Sequence, residues 1–107
     1  MKNVAVFGAG RMAREVAFAA TDSDELELAA LISRQCPDWL PDTQHFQSLA
    51  ALTALPDLLI DFTLSGGTYD AAHWCRASLV PLVSGTTGLS DRDRAAFMEA
   101  SELVPVK

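Results

Sequence analysis

Three short loops, each following an apolar run of strand length, contain the residues of this chain best suited to chemistry. Their sequences are Gly8-Ala9-Gly10-Arg11-Met12-Ala13, Asp61-Phe62-Thr63 and Gly85-Thr86-Thr87-Gly88. In an open parallel sheet, ligands bind outside the carboxyl ends of the strands. We therefore expect the three loops to border one crevice, and this crevice is the predicted functional site.

The first loop predicts a phosphate-binding turn. A glycine at position 8 lets the chain turn tightly after a strand, and Gly10 lets the backbone approach a pyrophosphate. Amide groups at the start of the following helix then receive the anion. A G-x-G-x-x-A pattern also occurs where two glycines serve turn geometry alone. Its position between a first strand and an amphipathic helix favours dinucleotide binding.

The end of the second predicted strand bears on the choice of cofactor. An acidic side chain there would accept hydrogen bonds from the adenosine ribose, but the sequence continues as Ser33-Arg34 without a carboxylate. A guanidinium can hold a 2′-phosphate through charge-assisted hydrogen bonds. We therefore predict a preference for NADPH over NADH. The alternative is that Arg34 is an ordinary solvated charge.

The other two loops carry carboxylate, aromatic and hydroxyl groups. Asp61 ends a very apolar strand, where it could serve acid–base chemistry or act as a capping or turn residue. Phe62 and Thr63 would present a ring and a hydroxyl to the crevice. Thr86 and Thr87 stand between two glycines, which suits close contact with a ribose or carboxamide; the alternative is a glycine-terminated turn.

The order of apolar segments predicts an α/β fold of the Rossmann type, a doubly wound parallel sheet in a three-layer αβα arrangement, with residues 1–107 forming a single domain. Strand-like apolar runs alternate with segments of helical period, which favours parallel strands joined by crossover helices. The predicted strands are 4–7, 28–32, 58–62, 81–84 and 103–106, and the predicted helices are 11–20, 48–52, 68–77 and 91–101.

Spacing within the predicted helices indicates which side chains face the sheet. Residues four apart form one helix face. Two such stripes are Met12, Val16 and Ala20 in the first helix and Ala71, Cys75 and Leu79 in the third. Ser90, followed by Asp91 and Asp93, predicts an N-cap and an acidic first turn for the last helix.

Composition argues against several classes of function. The chain has 107 residues, half of them hydrophobic, and a formal net charge of −6. An acidic surface repels phosphate backbones and anionic lipid headgroups, so neither nucleic-acid nor membrane partners are expected. No apolar stretch approaches the ~20 residues that span a bilayer, and the start does not resemble a secretory signal, so a cytoplasmic location is expected.

Cysteine, histidine and tryptophan give no sign of a metal or redox centre. Cys36 and Cys75 lack the spacing of a metal site or a C-x-x-C motif, so no metal is expected, and Cys75 should be a buried thiol on a helix. The two histidines, His45 and His73, are expected to be solvated or packed. Trp39 and Trp74 are expected to anchor a loop and to pack on a helix.

Taken in order, the three loops resemble the amino-terminal half of the 4-hydroxy-tetrahydrodipicolinate reductase (dihydrodipicolinate reductase) family of bacterial diaminopimelate and lysine synthesis. The matching stretches are 6–12, 59–63 and 83–89, of which Gly-Thr-Thr-Gly is the most specific, and the likeness extends to Lys107. The resemblance implies an NAD(P)H-binding domain of an oxidoreductase whose cofactor delivers a hydride to a small cyclic dicarboxylate. The family usually acts as a homotetramer.

The resemblance also implies roles for individual residues. The pyrophosphate would lie on the first loop, the adenosine ribose at Arg34, and the cofactor channel along Phe62 and Thr63. The third loop would meet the nicotinamide end, with Thr87 also reaching the substrate carboxylate. The cofactor-binding residues implied are Gly8, Ala9, Gly10, Arg11, Met12, Arg34, Phe62, Thr63, Gly85, Thr86 and Thr87.

The chain departs from the family pattern in three ways. Its glycine loop is one residue shorter and has Ala13 where glycine is usual, and the acidic residue after the second strand is missing. It also ends before the family's second domain, which carries the His-His and Lys-bearing motif. We therefore assign no catalytic residue and expect cofactor binding without turnover. The alternatives are the cofactor domain of another small NAD(P)-dependent dehydrogenase or a non-catalytic dinucleotide-sensing module.

Overall fold

Five parallel strands form one sheet in the order β3-β2-β1-β4-β5. The structure, a computed structural model, describes residues 2–63 and 66–107. The strands are β1 (Lys2–Phe7), β2 (Leu26–Ile32), β3 (His45–Phe46), β4 (Leu58–Asp61) and β5 (Leu82–Ser84). The helices are α1 (Arg11–Asp22), α2 (Gly67–Ser78) and α3 (Asp91–Ala100), with short 3-10 turns at Asp42–Gln44 and Leu49–Ala51.

Helices cover both faces of this sheet because its central strand is apolar on both sides. On β1, Val4 and Val6 pack in one buried cluster with α1, whereas Ala5 between them packs in a second cluster with α2 and α3. Side chains alternate between the faces of a strand, so a continuous apolar run supplies both layers. The predicted doubly wound, three-layer fold is confirmed.

The chain builds the sheet outward from β1 in two directions. It passes from β1 to β2 and β3 on one side, then returns to form β4 and β5 on the other. The loops after β1 and β4 therefore leave the same edge and diverge to opposite faces, which creates the crevice where doubly wound sheets bind ligands.

The predicted inner face of α1 was wrong at Met12, whereas Ala20 is buried and Val16 packs against the same cluster as predicted. Ala13, Ala17 and Ala20 are buried, whereas Met12 is 53% exposed. Small side chains at this face let the helix axis approach the sheet, and close packing of this kind takes precedence over the larger hydrophobicity of methionine. On α2, Ala71 and Cys75 are buried as predicted.

Two further predictions were wrong at the ends of elements. Leu79 lies just after α2 with a left-handed φ of 58° and is 65% exposed, because the helix has already ended. The predicted strand 103–106 is reduced to one parallel bridge, between Val106 and Leu82. Pro105 has no N–H for a ladder, and its carbonyl accepts a single bond from the Leu82 amide at 3.0 Å.

The predicted start of the last helix is confirmed. Ser90 is the N-cap of α3, and its Oγ accepts a hydrogen bond from the amide of Asp93 at 3.1 Å. Within the described ranges, no helix is both long and apolar enough to cross a membrane.

Candidate functional site

A cleft of about 1110 Å³ opens at the carboxyl ends of β1, β2 and β4. It lies where the strand order reverses, as the fold requires for a ligand site. Residues from three predicted loops or strand ends meet in its walls: Gly8, Ala9, Gly10, Arg34, Phe62 and Thr63. These six predicted residues are thus brought together. The remaining five, Arg11, Met12, Gly85, Thr86 and Thr87, do not line this cleft, and their positions are described below.

Gly8 lies at the floor of the cleft and contacts the ends of both neighbouring strands. Its amide donates to the carbonyl of Ile32 at 2.9 Å, and its φ of +122° lies in the region that favours glycine. A Cβ at this position would lie 2.6 Å from the backbone oxygen of Phe62. Glycine is therefore required both by the turn and by the close approach of the loop after β4.

The start of α1 has the features of an anion site. Gly10 is its N-cap and supplies no side-chain cap, and the first turn contains no acidic residue. Among the described residues, no atom lies within 4 Å of the place where a Cβ would stand on Gly10. The first amides of a helix lack intrahelical partners, and at this helix start the space beside Gly10 is open. Arg11 and Met12 are exposed in this turn, beside the cleft.

The turn after β2 presents Arg34 to the cleft because His45 fixes the residue before it. Nε2 of His45 lies 2.9 Å from the carbonyl oxygen of Ser33 and must donate to it, since a carbonyl only accepts. The hydroxyl of Ser33 donates to the carbonyl of Gln35 at 2.7 Å. Arg34 is exposed and lines the cleft. His45, expected to be either solvated or packed, is half-buried and hydrogen-bonded, and its strand pairing with Leu31 was not predicted.

Asp61, at the end of β4, is fully buried and accepts five hydrogen bonds from the described residues. Its Oδ1 accepts from the amide of Thr63 at 3.0 Å and from the hydroxyl of Thr63 at 2.6 Å. Its Oδ2 accepts from the hydroxyls of Thr68 at 2.5 Å, Ser84 at 2.9 Å and Thr86 at 3.2 Å. We call Asp61, Thr63, Thr68, Ser84 and Thr86 the Asp61 cluster. Of the two roles considered for Asp61, its contacts match the turn and capping role, extended to three separate segments.

The third loop lies against the wall of the cleft, one layer behind it. The amide of Gly85 donates to the carbonyl of Asp61 at 2.8 Å. A Cβ on Gly85 would overlap the ring of Phe62, so that ring rests directly on the glycine backbone. Thr86 is half-buried in the Asp61 cluster, and Thr87 is exposed. Phe62 therefore connects the loop after β5 to the cleft.

A second buried carboxylate, Asp93, joins the amino-terminal ends of α2 and α3. It accepts hydrogen bonds from the amides of Gly66 at 3.0 Å, Tyr69 at 2.9 Å and Ser90 at 3.1 Å. Burial acts to raise the pKa of Asp93, but the hydrogen bonds from Gly66 and Ser90 outweigh it, so the pKa lies below its ordinary value. The guanidinium of Arg92 stacks 3.7 Å from the Tyr69 ring centroid and ties the same two helices.

Helix α2 contributes two cleft residues that the sequence analysis treated only as packing or solvated side chains. His73 and Trp74 both line the cleft. They are adjacent on a helix, and helical periodicity in the sequence does not indicate that they face a site formed by loops. Behind them Cys75 is buried as predicted, and burial, with the charge of Asp61, raises the pKa of its thiol to about 12. Trp39 anchors its loop, with its ring edge-on to Phe18 at 5.5 Å between centroids.

In sequence, this chain is similar to known proteins of one family. The family model described as dihydrodipicolinate reductase, N-terminus, matches residues 2–106. The 4-hydroxy-tetrahydrodipicolinate reductase of Xylella fastidiosa (strain 9a5c) is 37% identical over 100 residues, which cover 91% of this chain and 42% of that protein. The reductase of the same name from Haloarcula marismortui is 34% identical over 108 residues, or 99% of this chain and 43% of that protein.

A solved structure shows the same fold. The dipicolinate-bound dihydrodipicolinate reductase from Paenisporosarcina sp. TG-14 matches with a TM-score of 0.81 and 24% identity, over 95% of this chain and 43% of that one. The chain thus spans less than half the length of the relatives it matches. The family match agrees with the resemblance of the three loops and argues against the other small dehydrogenases considered above. The sequence shows that the chain belongs to the family of dihydrodipicolinate reductase amino-terminal domains, and its fold agrees with this assignment.

Proposed function

We propose that this chain is the cofactor domain of a 4-hydroxy-tetrahydrodipicolinate reductase and binds a nicotinamide dinucleotide, NADPH in preference to NADH. The observation that carries the proposal is the cleft at the strand-order reversal, which unites the glycine loop, Arg34 and the loop after β4. Family membership supports the same ligand class.

The residues present fit the proposed ligand. A pyrophosphate is accommodated by the uncapped start of α1, where the backbone of Gly10 opens onto free space. Arg34 lies at the end of β2, where the adenosine ribose and its 2′-phosphate belong in this fold. The nicotinamide end then extends along Phe62 and Thr63 toward the loop of Gly85, Thr86 and Thr87.

In the full reductase, the bound cofactor supplies a hydride to a cyclic dicarboxylate, while this domain binds and orients the cofactor. Thr87, exposed at the tip of its loop, is proposed to contact a substrate carboxylate. The relatives are more than twice as long as the matched segment. We propose that the remaining substrate contacts, the proton donor and the homo-oligomer contacts belong to a further domain, and that the biosynthetic role is cytoplasmic.

Calorimetric titration with NADPH and NADH tests this proposal. We expect the chain to bind both and to bind NADPH more tightly, and we expect Arg34→Ala to weaken NADPH binding about tenfold or more while changing NADH binding little. One charge-assisted hydrogen bond contributes about 1.5 to 3 kcal/mol, which corresponds to such a factor.

Arg14→Ala is the matched control. Arg14 lies on α1 with its guanidinium over the ring of Phe18, and it is not among the cleft residues. This variant should leave both affinities unchanged. A ratio of NADPH to NADH affinity that Arg34→Ala does not alter would contradict the assigned preference, and absence of binding by either dinucleotide would contradict the proposed function itself.

A further inference from the structure

The Asp61 cluster fixes the direction of its hydrogen bonds. A threonine or serine hydroxyl has one proton to donate and two lone pairs that accept, whereas a carboxylate only accepts. Within residues 2–63 and 66–107, four hydroxyls lie within hydrogen-bond distance of the Asp61 carboxylate, those of Thr63, Thr68, Ser84 and Thr86. Each of these hydroxyls therefore uses its single proton on Asp61.

Two of the four hydroxyls, those of Thr63 and Thr86, belong to segments that the proposed function assigns to the nicotinamide end. Thr68 is fully buried, and Ser84 Oγ already faces the amide of Thr86 at 3.4 Å. Thr63 lines the cleft, and Thr86 stands on the loop whose first residue supports the Phe62 ring. Because their protons are engaged by Asp61, Thr63 and Thr86 have only lone pairs left to offer a ligand.

Thr87, the next residue along, differs from Thr86 in this respect. It is exposed, and within the part of the chain that the structure describes its hydroxyl has no bond to Asp61. Its proton is available for donation to an anion. Two adjacent threonines thus have opposite hydrogen-bonding preferences, and the carboxylate behind one of them accounts for the difference.

We propose that Asp61 is a positioning residue that makes this end of the cofactor site a hydrogen-bond acceptor, so that it selects the carboxamide N–H₂ of nicotinamide and rejects a carboxylate in the same place. The inference rests on the proposed function, because the nicotinamide end is assigned there to this loop. An acid group would face the lone pairs of Thr63 and Thr86 with no proton between them, and the Asp61 charge behind them adds repulsion.

Two commercial dinucleotides that differ only at this group provide the test. NADP⁺ carries a carboxamide, and nicotinic acid adenine dinucleotide phosphate carries a carboxylate in its place. We expect the chain to bind the acid form at least about tenfold more weakly than NADP⁺, the cost of facing like groups without a shared proton. A third ligand, 2′-phospho-ADP-ribose, lacks the ring and reports on the rest of the site.

Asp61→Asn reverses part of the polarity without changing the shape of the side chain. The asparagine N–H₂ donates, so a hydroxyl that faces it must accept and is free to donate outward. The ratio of the affinity for NADP⁺ to the affinity for the acid form should fall at least fivefold, to within about twofold of unity. The affinity for 2′-phospho-ADP-ribose should stay the same, which a general loosening of the fold would not produce.

Asp93→Asn is the matched control, a carboxylate-to-amide change at the other buried aspartate, whose described donors are backbone amides. It should preserve the ratio. If Asp61→Asn fails to fold, as judged by circular dichroism, Thr86→Val tests the same property. It should weaken NADP⁺ binding several-fold and, because it removes lone pairs that oppose a carboxylate, should not weaken binding of the acid form, so that the ratio falls again.

The outcomes separate the two proposals. A ratio that falls in Asp61→Asn or Thr86→Val and persists in Asp93→Asn supports the inference. Equal binding of the amide and acid forms by the unmodified chain, or a ratio unaltered by both test variants, overturns it, while binding of 2′-phospho-ADP-ribose keeps the proposed function intact. Failure of all three ligands to bind overturns the proposed function and, with it, this inference.

Discussion

The two buried carboxylates, Asp61 and Asp93, are both satisfied by hydrogen bonds, but from different kinds of donor. Both are fully buried, and both contact the start of α2. Asp61 is held mostly by hydroxyls, whereas the described bonds to Asp93 come from backbone amides. An amide has a fixed direction, so these bonds to Asp93 position the backbone. A hydroxyl can turn, so Asp61 also decides what the side chains around it offer to a ligand.

Removal of the hydroxyl-held carboxylate should have the larger effect on stability. We expect Asp61→Ala to lower the free energy of unfolding by about 3 kcal/mol, because Thr68 is buried and loses its acceptor while the other hydroxyls must find water. Urea denaturation followed by circular dichroism measures this. Asp61→Asn, which keeps part of the network, should cost less than half as much; equal losses would show that the carboxylate charge, not the hydroxyl network, is what matters.

Removal of the amide-held carboxylate should cost less, about 2 kcal/mol for Asp93→Ala. The variant leaves the amides at the starts of α2 and α3 without a cap, and a single cap contributes about 1 kcal/mol. Ser90→Ala, which removes the cap of α3 alone, should lose about half as much. The same denaturation experiment applies, and a loss larger for Asp93→Ala than for Asp61→Ala would reverse the comparison.

The smallest expected difference lies in the acid dependence of stability. The pKa of Asp93 in the folded chain is below its ordinary value of 3.8. A carboxyl of this kind adds stability that is complete above the unfolded pKa and is lost as the pH falls through the folded one. The stability difference between the unmodified chain and Asp93→Asn should thus stay constant from about pH 7 to 5 and shrink below about pH 4. Urea midpoints across this range measure it, and a constant difference down to pH 2 would contradict it.

The same comparison shows how far the sequence alone could lead. The residues that cap α3 lie within four consecutive positions, Ser90 to Asp93, so local spacing predicts the cap. The Asp61 cluster draws on Thr68, Ser84 and Thr86, which come together only after the sheet has formed. The sequence analysis could therefore propose a turn role for Asp61 without finding its partners.

The fold was more predictable than the packing of its helices. Alternating apolar strands and helical segments sufficed for the sheet, since strand burial on both faces leaves a continuous apolar run. The inner face of α1 was misplaced at its first turn because Met12 is more hydrophobic than Ala13, whereas a helix close to a sheet needs the smaller residue. The pairing of β3 was missed as well, because two residues carry no detectable period.

The site was predicted in its loops and missed in its helix. The glycine loop and Arg34 reach the cleft because strand ends are recognisable from glycine and from a change in polarity. His73 and Trp74 reach it from the side of α2, and nothing in an ordinary amphipathic helix distinguishes a residue that faces a crevice from one that faces solvent.

The placement of the two tryptophans gives the molecule its own optical reporters. Trp74 stands in the cleft wall and packs against the cluster beneath α2, whereas Trp39 lies on the other face of the sheet against Phe18. Indole emission overlaps the absorption of a reduced nicotinamide ring, so a bound ring takes up excitation energy from the nearer indole. Trp39→Phe would leave one emitter, beside the ligand, and turn the unlabelled chain into a direct fluorescence sensor of its occupancy.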